Sequence, residues 1–339
     1  MKKILMVFTS LIAVVLLLLL CAYMVIYNYI GKVNIVAKDA PPIANSQPSQ
    51  EAEYDDFMDV IEIISDDLEA GQSQVIENED NQLPIMDDKD VLNILLIGSD
   101  TRIKGQAGRS DAIILVSINK KKEIITLTSI LRDIYLKIPG RSKNRINSAY
   151  AYGGANLLMD TIEQNFNIKV DRYVSVDFES FVKVIDGIGG IEVEVTQQEI
   201  KVINEFLSEA DQLTNEGTQL LNGNQTLAFA RNRQVGNSDF SRTARQRAVI
   251  ENIYNKVKKQ NIFEISKLLN IILPQVTTNM IKKELFALML SSPSYAKYDI
   301  QQWSVPMKGS YSNLRIDGMA VLVLDFEKNI EELHSRIYD

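Results

Sequence analysis

Five arginines fall within 17 consecutive positions of this sequence: Arg231, Arg233, Arg242, Arg245 and Arg247. The chain as a whole has a formal net charge of -8, so this concentration of positive charge is local. Arginine keeps its proton at any ordinary pH, and its planar guanidinium matches the paired oxygens of a phosphate or a carboxylate. The cluster therefore predicts a site for a polyanionic ligand.

Two elements are expected to carry these arginines. Arg231 and Arg233 alternate along a segment that is predicted to be extended, so their side chains point the same way. Ser238 or Asp239 then caps a helix. Three polar side chains at i, i+3 and i+4 share one face of that helix: Arg242, Arg245 and Gln246. The competing interpretation is an exposed basic face that contacts only solvent.

Acidic residues lie where two predicted strands end and begin. Asp100 and Arg102 follow a strand over residues 91–98, and Arg109 and Asp111 stand at the start of the next. Crevices at strand ends are where open α/β sheets bind ligands. Two carboxylates brought together there repel one another unless a cation joins them, and Mg²⁺ commonly takes one or two protein carboxylates plus phosphate oxygens. For either acid alone, a helix cap or an ion pair is the competing interpretation.

Other kinds of catalytic site are disfavoured. The only histidine is His334, which argues against a Ser-His-Asp or Cys-His nucleophile and against a zinc cluster. The phosphate loop of nucleotide hydrolases is absent, and only Phe240 offers an aromatic platform for nucleic-acid bases near the arginines. Any catalysis therefore has to depend on Asp and Arg, with or without a metal. Arg132, at the end of a third predicted strand, adds charge to the same rim, and Asp133 can orient it.

Between residues 91 and 339, β-branched apolar segments alternate with segments of helical periodicity. Strands are predicted at residues 91–98, 111–119, 123–130, 170–177, 191–195 and near 301–307, with a hairpin turn at 120–122. Helices are predicted at residues 153–166, 178–190, 196–211, 239–258, 262–272, 279–291 and 325–337. This pattern predicts an α/β fold, a three-layer αβα sandwich with a central mixed β-sheet. Residues 251–339 are expected to complete the same domain.

The N-terminal region predicts a membrane anchor. Residues 4–30 are 27 positions without a charged side chain, and about 20 suffice to cross a bilayer, so residues 1–32 are predicted to be a short cytoplasmic start and one transmembrane helix. Lys2 and Lys3 favour a cytoplasmic N-terminus and an external body. A cleaved signal peptide competes, but its apolar region is only about 7–15 residues long. The single cysteine, Cys21, lies inside the span, so no disulfide is expected.

Residues 33–90 are predicted to be an acidic, disordered linker. Residues 51–90 alone hold fifteen Asp or Glu and one Lys. Such a segment buries little apolar surface and repels itself, which favours disorder. The domain prediction is therefore an anchor, a linker and a folded external domain over residues 91–339.

Seven sequence blocks, in order over about residues 92–250, resemble the LytR-CpsA-Psr family of bacterial cell-wall enzymes. The blocks are NILLIGSDTR, GRSDAIILVSIN, LTSILRDIYLKIPG, RINSAYAYGGANLLMDTIEQ, VDRYVSVDFESFVKVIDGIGGIEVEV, LNGNQTLAFARNR and DFSRTARQRAVI. The resemblance implies a phosphotransferase that attaches a glycopolymer, such as teichoic acid or capsule, to a peptidoglycan hydroxyl from a polyprenyl pyrophosphate-linked donor. It also implies a bacterial, Gram-positive cell membrane location and no nucleic-acid or nucleotide partner.

The same resemblance implies roles for individual residues. Asp100 and Asp111 match acids that bind Mg²⁺ (or Mn²⁺). The matches to arginines that hold or act on the pyrophosphate are Arg109, Arg132, Arg231, Arg233 and Arg242. The matches to further polar and substrate-binding positions are Asp239, Gln246, Arg102 and Arg245. Arg247 stands where many relatives have an uncharged polar residue and is expected on the surface. The proton acceptor stays open between Asp133 and Asp239, and an inactive regulator or a lipid pyrophosphatase stays a competing function.

Overall fold

The computed structural model of this chain describes residues 31–36, 84–100, 108–236, 239–260, 268 and 270–339. Seven strands form the central sheet: β1 (Asn34–Ile35), β2 (Val91–Ser99), β3 (Ser110–Asn119), β4 (Ile124–Ile130), β7 (Arg172–Asp177), β10 (Thr277–Thr278) and β11 (Asp299–Val305). Their order is β1-β10-β7-β2-β3-β4-β11. Three hairpins lie outside it: β5 (Tyr135–Lys137) with β6 (Lys143–Arg145), β8 (Ile191–Val195) with β9 (Gly217–Leu221), and β12 (Tyr311–Ile316) with β13 (Met319–Leu324).

The helices that flank these strands are α1 (Asn147–Phe166), α2 (Phe178–Gly187), α3 (Gln197–Glu205), α4 (Gly223–Arg231), α5 (Asp239–Val257), α6 (Lys282–Tyr295) and α7 (Phe326–Tyr338). Strands β2, β3 and β4 are antiparallel neighbours, whereas β7 runs parallel to β2 and β11 parallel to β4. The sheet is therefore mixed, which confirms the predicted α/β class.

The sheet is covered on both faces because its strands are apolar on both sides. Neighbouring residues of a strand point in opposite directions. Leu95 packs with Phe166 and Leu333, from α1 and α7, on one face. Ile94 belongs to a second cluster with Ile250 and Leu285, from α5 and α6, on the other face. Each fully buried side chain of this size contributes about 1.5–3 kcal/mol, so the two clusters fix the helices on the sheet.

Two helix boundaries differ from the predictions for reasons visible in the backbone. Helix α1 begins at Asn147 and is broken at Gly153 and Gly154, where Gly154 has φ 65°. The prediction placed the helix start at this break, because glycine tolerates a left-handed conformation and is typical of helix ends. Helix α3 starts at a capping box between Thr196 and Glu199 but ends at Glu205, six residues before the predicted end. The predicted helix at 262–272 falls mostly outside the described residues.

The C-terminal region completes the same sheet. Leu131 donates its backbone N–H to the carbonyl of Val305 in β11 (2.9 Å), and Leu322 in β13 donates to the carbonyl of Asp133 (2.9 Å). These two bonds lie on either side of Arg132. The last 41 residues of the sequence, from Asp299 onward, therefore contribute strands that contact the segment carrying Arg132.

The first residues of the predicted linker join the other edge of the sheet. Strand β1 pairs in parallel with β10, and Val33 is buried against the fold. Residues 84–90 also lie against the domain, where Met86 bridges Ile168. The predicted anchor at residues 4–30 and linker residues 37–83 lie outside the described residues. No helix in the described part of the chain has the length and apolar character needed to span a membrane.

Candidate active site

Asp100 and Asp111 lie close together where β2 and β3 meet. The strand register shifts between Gly98 and Ser99. Beyond this irregularity, Asp100 donates its backbone N–H to the carbonyl of Arg109 (3.2 Å), and its carboxylate accepts the N–H of Arg109 (2.6 Å). Burial raises the pKa of Asp100, and the negative charge of Asp111 raises it further. The sheet therefore holds two carboxylates near enough to repel one another.

Asp111 is the point where charges from three distant segments converge. Its carboxylate accepts a hydrogen bond from Arg132 Nη1 at 2.6 Å. Burial alone would raise the pKa of Asp111, yet the guanidinium groups of Arg132, Arg242 and Arg231 outweigh burial and lower it. Arg132 follows β4, Arg231 ends α4 and Arg242 lies on α5. These three arginines therefore act together on Asp111, and the arginine that acts on Asp100 is Arg109.

Arg132 is fixed by partners on both sides. It is almost fully buried, and its Nε lies 3.5 Å from the carboxylate of Asp133. Arg145, at the end of β6, is equally buried and places Nη1 3.5 Å from the other oxygen of Asp133. The sequence analysis did not identify Arg145 as a site residue. The sequence did place Arg145 at the start of the block RINSAYAYGG, which could have suggested a role in the site. No spacing rule, however, links Arg145 to Asp133.

Arg242 and Asp239 form an ion pair in the first turn of α5. Arg242 Nη2 lies 2.7 Å from Asp239 Oδ2, and the Arg242 side chain is almost fully buried. An acid in the first helical turn is favoured by the helix dipole, so Asp239 is placed both by the helix and by the arginine. Two buried atoms here, Arg242 Nε and Gln246 Oε1, have no hydrogen-bond partner among the described residues.

The prediction that Arg231 and Arg233 lie on one extended segment is wrong. Arg231 is the last residue of α4, which starts at a capping box between Asn222 and Gln225. Its guanidinium lies over the ring of Phe178, with Cζ 4.8 Å from the centroid, and its side chain is exposed. Arg233 is half-buried two residues after the helix. The helix end, and not strand alternation, therefore directs Arg231 toward the acids.

The prediction that Arg242 and Arg245 present their charge to one spot is also wrong. Arg245 donates from Nε to Glu199 (2.8 Å), from Nη1 to the carbonyl of Asn232 (2.9 Å) and from Nη2 to the carbonyl of Val235 (2.6 Å). Burial raises the pKa of Glu199, but bonds from Thr196 and Arg245 outweigh it and the pKa is lowered. Arg245 thus clamps the segment that follows Arg231.

Arg247 was expected on the surface and is instead buried. It donates to Ser129 Oγ (2.6 Å) in β4 and to Gln302 Oε1 (3.3 Å) in β11. Burial lowers the pKa of Arg247. The reason is that α5 packs against β3, β4 and β11, so this side of the helix faces the sheet and not solvent. Arg102 lies outside the described residues.

No cluster of three or more His, Cys, Asp or Glu side chains suited to a metal occurs in the described ranges. The pair Asp100 and Asp111 offers two carboxylates, fewer than such a cluster would. Mg²⁺ often takes only one or two protein carboxylates and completes its shell with water and phosphate oxygens. The rise in the pKa of Asp100 caused by burial and by Asp111 records a repulsion that a cation would relieve. The two acids therefore fit a divalent cation.

This chain is similar to known proteins in sequence and in fold. The chain is 34% identical over 240 residues to the regulatory protein MsrR of Staphylococcus aureus, covering 68% of this chain and 70% of that protein. It is 35% identical over 192 residues to the polyisoprenyl-teichoic acid–peptidoglycan teichoic acid transferase TagU of Enterococcus faecalis, covering 56% and 61% of the two chains. A solved structure of the LytR-CPS2A-psr protein YwtF (TagT) with bound octaprenyl pyrophosphate lipid superposes with a TM-score of 0.58, at 26% identity, over 74% of this chain and 91% of that one.

The model of the LytR_cpsA_psr family matches residues 61–336, which is most of the chain and includes the C-terminal region beyond the seven blocks. The fold, the converging arginines and the paired acids are thus accompanied by similarity along nearly the whole described domain. This chain belongs to the LytR_cpsA_psr family.

Proposed function

We propose that this protein is a phosphotransferase that moves a glycopolymer from a polyprenyl pyrophosphate-linked donor to a hydroxyl of peptidoglycan. The observation that carries the proposal is the convergence of Arg132, Arg231 and Arg242 on Asp111, beside Asp100. Three fixed positive charges next to two carboxylates suit a diphosphate bound with a divalent cation. Similarity to the teichoic acid transferase TagU and to TagT, whose structure holds octaprenyl pyrophosphate lipid, supports the same chemistry.

In the proposed reaction the acceptor hydroxyl oxygen attacks the phosphorus that bears the glycopolymer. A new P–O bond forms, the bridging P–O bond of the diphosphate breaks, and polyprenyl phosphate leaves with the bonding electron pair. The arginines stabilise the charge that develops on both phosphates, which is the usual source of catalysis in phosphoryl transfer. The hydroxyl proton passes to a carboxylate, and Asp133 and Asp239 are the two predicted proton acceptors.

The residues have different proposed tasks. Asp100 and Asp111 would hold Mg²⁺ or Mn²⁺, which supplies further charge neutralisation on the phosphate oxygens. Arg132 and Arg242 are almost fully buried and already oriented by Asp111 and Asp239, so they need little reorganisation when substrate binds. Further proposed contacts to the diphosphate come from Arg109, Arg231, Arg233, Gln246 and Arg102.

The proposed location is the cell membrane of a Gram-positive bacterium. Residues 4–30 would anchor the chain with the N-terminus in the cytoplasm, and the domain would lie outside, where lipid-linked polymer and peptidoglycan meet. A diphosphate donor carries its own free energy of transfer, so an external enzyme without a nucleotide site is consistent with this chemistry.

The experiment is incubation of the purified full chain with a polyprenyl pyrophosphate-linked glycan and peptidoglycan fragments, with and without Mg²⁺. Transfer of the glycan that is lost in Arg132→Ala and kept in Arg336→Ala supports the proposal; Arg336 pairs with Glu332 on the exposed side of α7. Release of polyprenyl phosphate and free glycan phosphate, without transfer, would identify a lipid pyrophosphatase. Binding without either product would favour a regulator, as the name of the regulatory protein MsrR suggests for that relative.

A further inference from the structure

The outer edge of the central sheet is built from two segments that are distant in sequence. Residues 31–36 lie alongside residues 270–281: Val36 donates to the carbonyl of Thr278 (2.9 Å), Asn34 Nδ2 donates to the carbonyl of Pro274 (3.2 Å), and Lys32 donates to Asn270. Val33 is buried beneath this contact. The first six described residues are therefore tied to the domain.

The surface next to this contact is both apolar and basic. We name it the basal edge, and it consists of Lys32, Ile35, Ile281, Lys282 and Lys283. Ile35 is paired with Thr278 in the sheet, and Ile281 follows three residues later. Ile35 is 38% exposed and Ile281 is 55% exposed, although large aliphatic side chains are usually buried.

The basal edge contributes three lysines in a chain of net charge -8. The neighbouring acid, Glu284, is paired with Arg172 and so adds no net negative charge. Three lysines around exposed isoleucines suit the surface of an anionic bilayer, since lysine is attracted by lipid headgroups and isoleucine enters the boundary of the acyl region.

We propose that the basal edge rests on an anionic lipid bilayer, so that the domain is held at a fixed orientation and not on a long flexible tether. This inference rests on the anchor included in the proposed function. The uncharged run ends at residue 30, and buried Val33 is three residues further along the chain. Three residues span at most about 10 Å, so the basal edge cannot lie far from the membrane in which the anchor ends.

The strand order sets the geometry of the docked domain. Strand β1 is at one edge of the sheet and β11, which carries Trp303, is at the other. Six strand spacings of about 4.8 Å separate the two edges by about 29 Å. The only tryptophan of the chain is therefore a natural marker of the side that faces away from the bilayer.

The test uses the full chain in vesicles of phosphatidylcholine and phosphatidylglycerol that contain brominated acyl chains, which quench tryptophan only at short range. Wild-type protein reports on Trp303. The double variant Trp303→Phe, Ile281→Trp reports on the basal edge with an otherwise identical chain. We expect strong quenching for the double variant and none for the wild type, and we expect Lys282→Glu with Lys283→Glu to reduce the quenching of the double variant.

Membrane insertion is checked separately by alkaline carbonate extraction. A chain that resists extraction while Ile281→Trp is unquenched would overturn the docking and leave the anchor standing. A chain that is extracted would overturn the anchor and the docking with it. Equal quenching from Ile281→Trp and Trp303 would also overturn the proposed orientation. Because transfer activity is not the readout, none of these results depends on the proposed reaction.

Discussion

Replacing Arg245 with methionine tests whether this residue is a clamp or a substrate-binding arginine. The guanidinium bonds Glu199 and the carbonyls of Asn232 and Val235 at 2.6–2.9 Å, and its side chain is almost fully buried. Methionine keeps much of the apolar stem but leaves all three acceptors without this donor. Removing one partner of a buried ion pair typically costs about 3–5 kcal/mol.

The structure places the expected loss at the lower end of that range. Glu199 keeps two other bonds, from the backbone N–H of Thr196 (2.9 Å) and from its hydroxyl (3.0 Å), so its charge is not left isolated. The two carbonyls lose their buried donor, and each unsatisfied group costs about 1–3 kcal/mol. We expect Arg245→Met to lower the free energy of unfolding by about 3 kcal/mol.

The assay is urea unfolding of the full chain in detergent, followed by circular dichroism. The matched control is Arg336→Met, which breaks the exposed pair with Glu332 and should cost no more than about 0.5 kcal/mol. The double variant Glu199→Gln, Arg245→Met should lose less than the sum of the two single variants, because the two side chains share one interaction. Diphosphate binding by Arg245→Met under native conditions should stay close to that of the wild type.

Two other results would refute the interpretation of Arg245 as a structural clamp. If Arg245→Met loses less than about 1 kcal/mol while its affinity for a diphosphate falls about tenfold or more, Arg245 is a ligand-binding residue, as the sequence analysis predicted. Additive losses in Glu199→Gln and Arg245→Met would show that the two side chains are energetically independent.

Three further predictions concern the acids and the central arginine. Arg132→Ala is expected to lower the turnover number about 10²- to 10³-fold, and a turnover equal to that of Arg336→Ala would contradict its role. Mg²⁺ should raise the thermal unfolding midpoint of the wild type but not of Asp100→Asn. Because burial and Asp111 raise the pKa of Asp100, this stabilisation by Mg²⁺ should fade at a higher pH than it would for an ordinary aspartate. Stabilisation by Mg²⁺ that is retained in Asp100→Asn would exclude a cation site at Asp100. The pKa of Glu199 is lower in the folded state than in the unfolded state. Its contribution to stability is therefore complete above its unfolded-state pKa and is lost as the pH falls through the folded-state pKa. Urea titrations should show that acid lowers the free energy of unfolding less for Glu199→Gln than for the wild type, and identical pH profiles would contradict this.

The sequence predicts the sheet and its acids well because local signals control them. Continuous β-branched runs predict β2, β3 and β4, and Asp100 and Asp111 follow from their places at the ends of these runs. The C-terminal helix α7 is equally clear from its periodicity. These elements depend on patterns within about ten residues, which an isolated sequence displays.

The arginine cluster is harder to predict because its roles depend on tertiary packing. The helical spacing of α5 is correct, but it cannot show that Arg245 meets Glu199 or that Arg247 meets Ser129. Both partners come from segments at least 46 residues away. The helix that ends at Arg231 did have a local signal, since the capping box from Asn222 to Gln225 was present in the sequence.

The contacts that β11 and the β12–β13 hairpin make with the segment around Arg132 have a consequence for how the site is assembled. Arg132 lies between two backbone bonds to residues 305 and 322, which are far from it in the sequence. The arginines and acids of the site all precede residue 250, so a chain synthesised only that far still lacks the strands that fix Arg132. Assembly of the site is therefore coupled to long-range pairing across the sheet, which is slow compared with local helix formation.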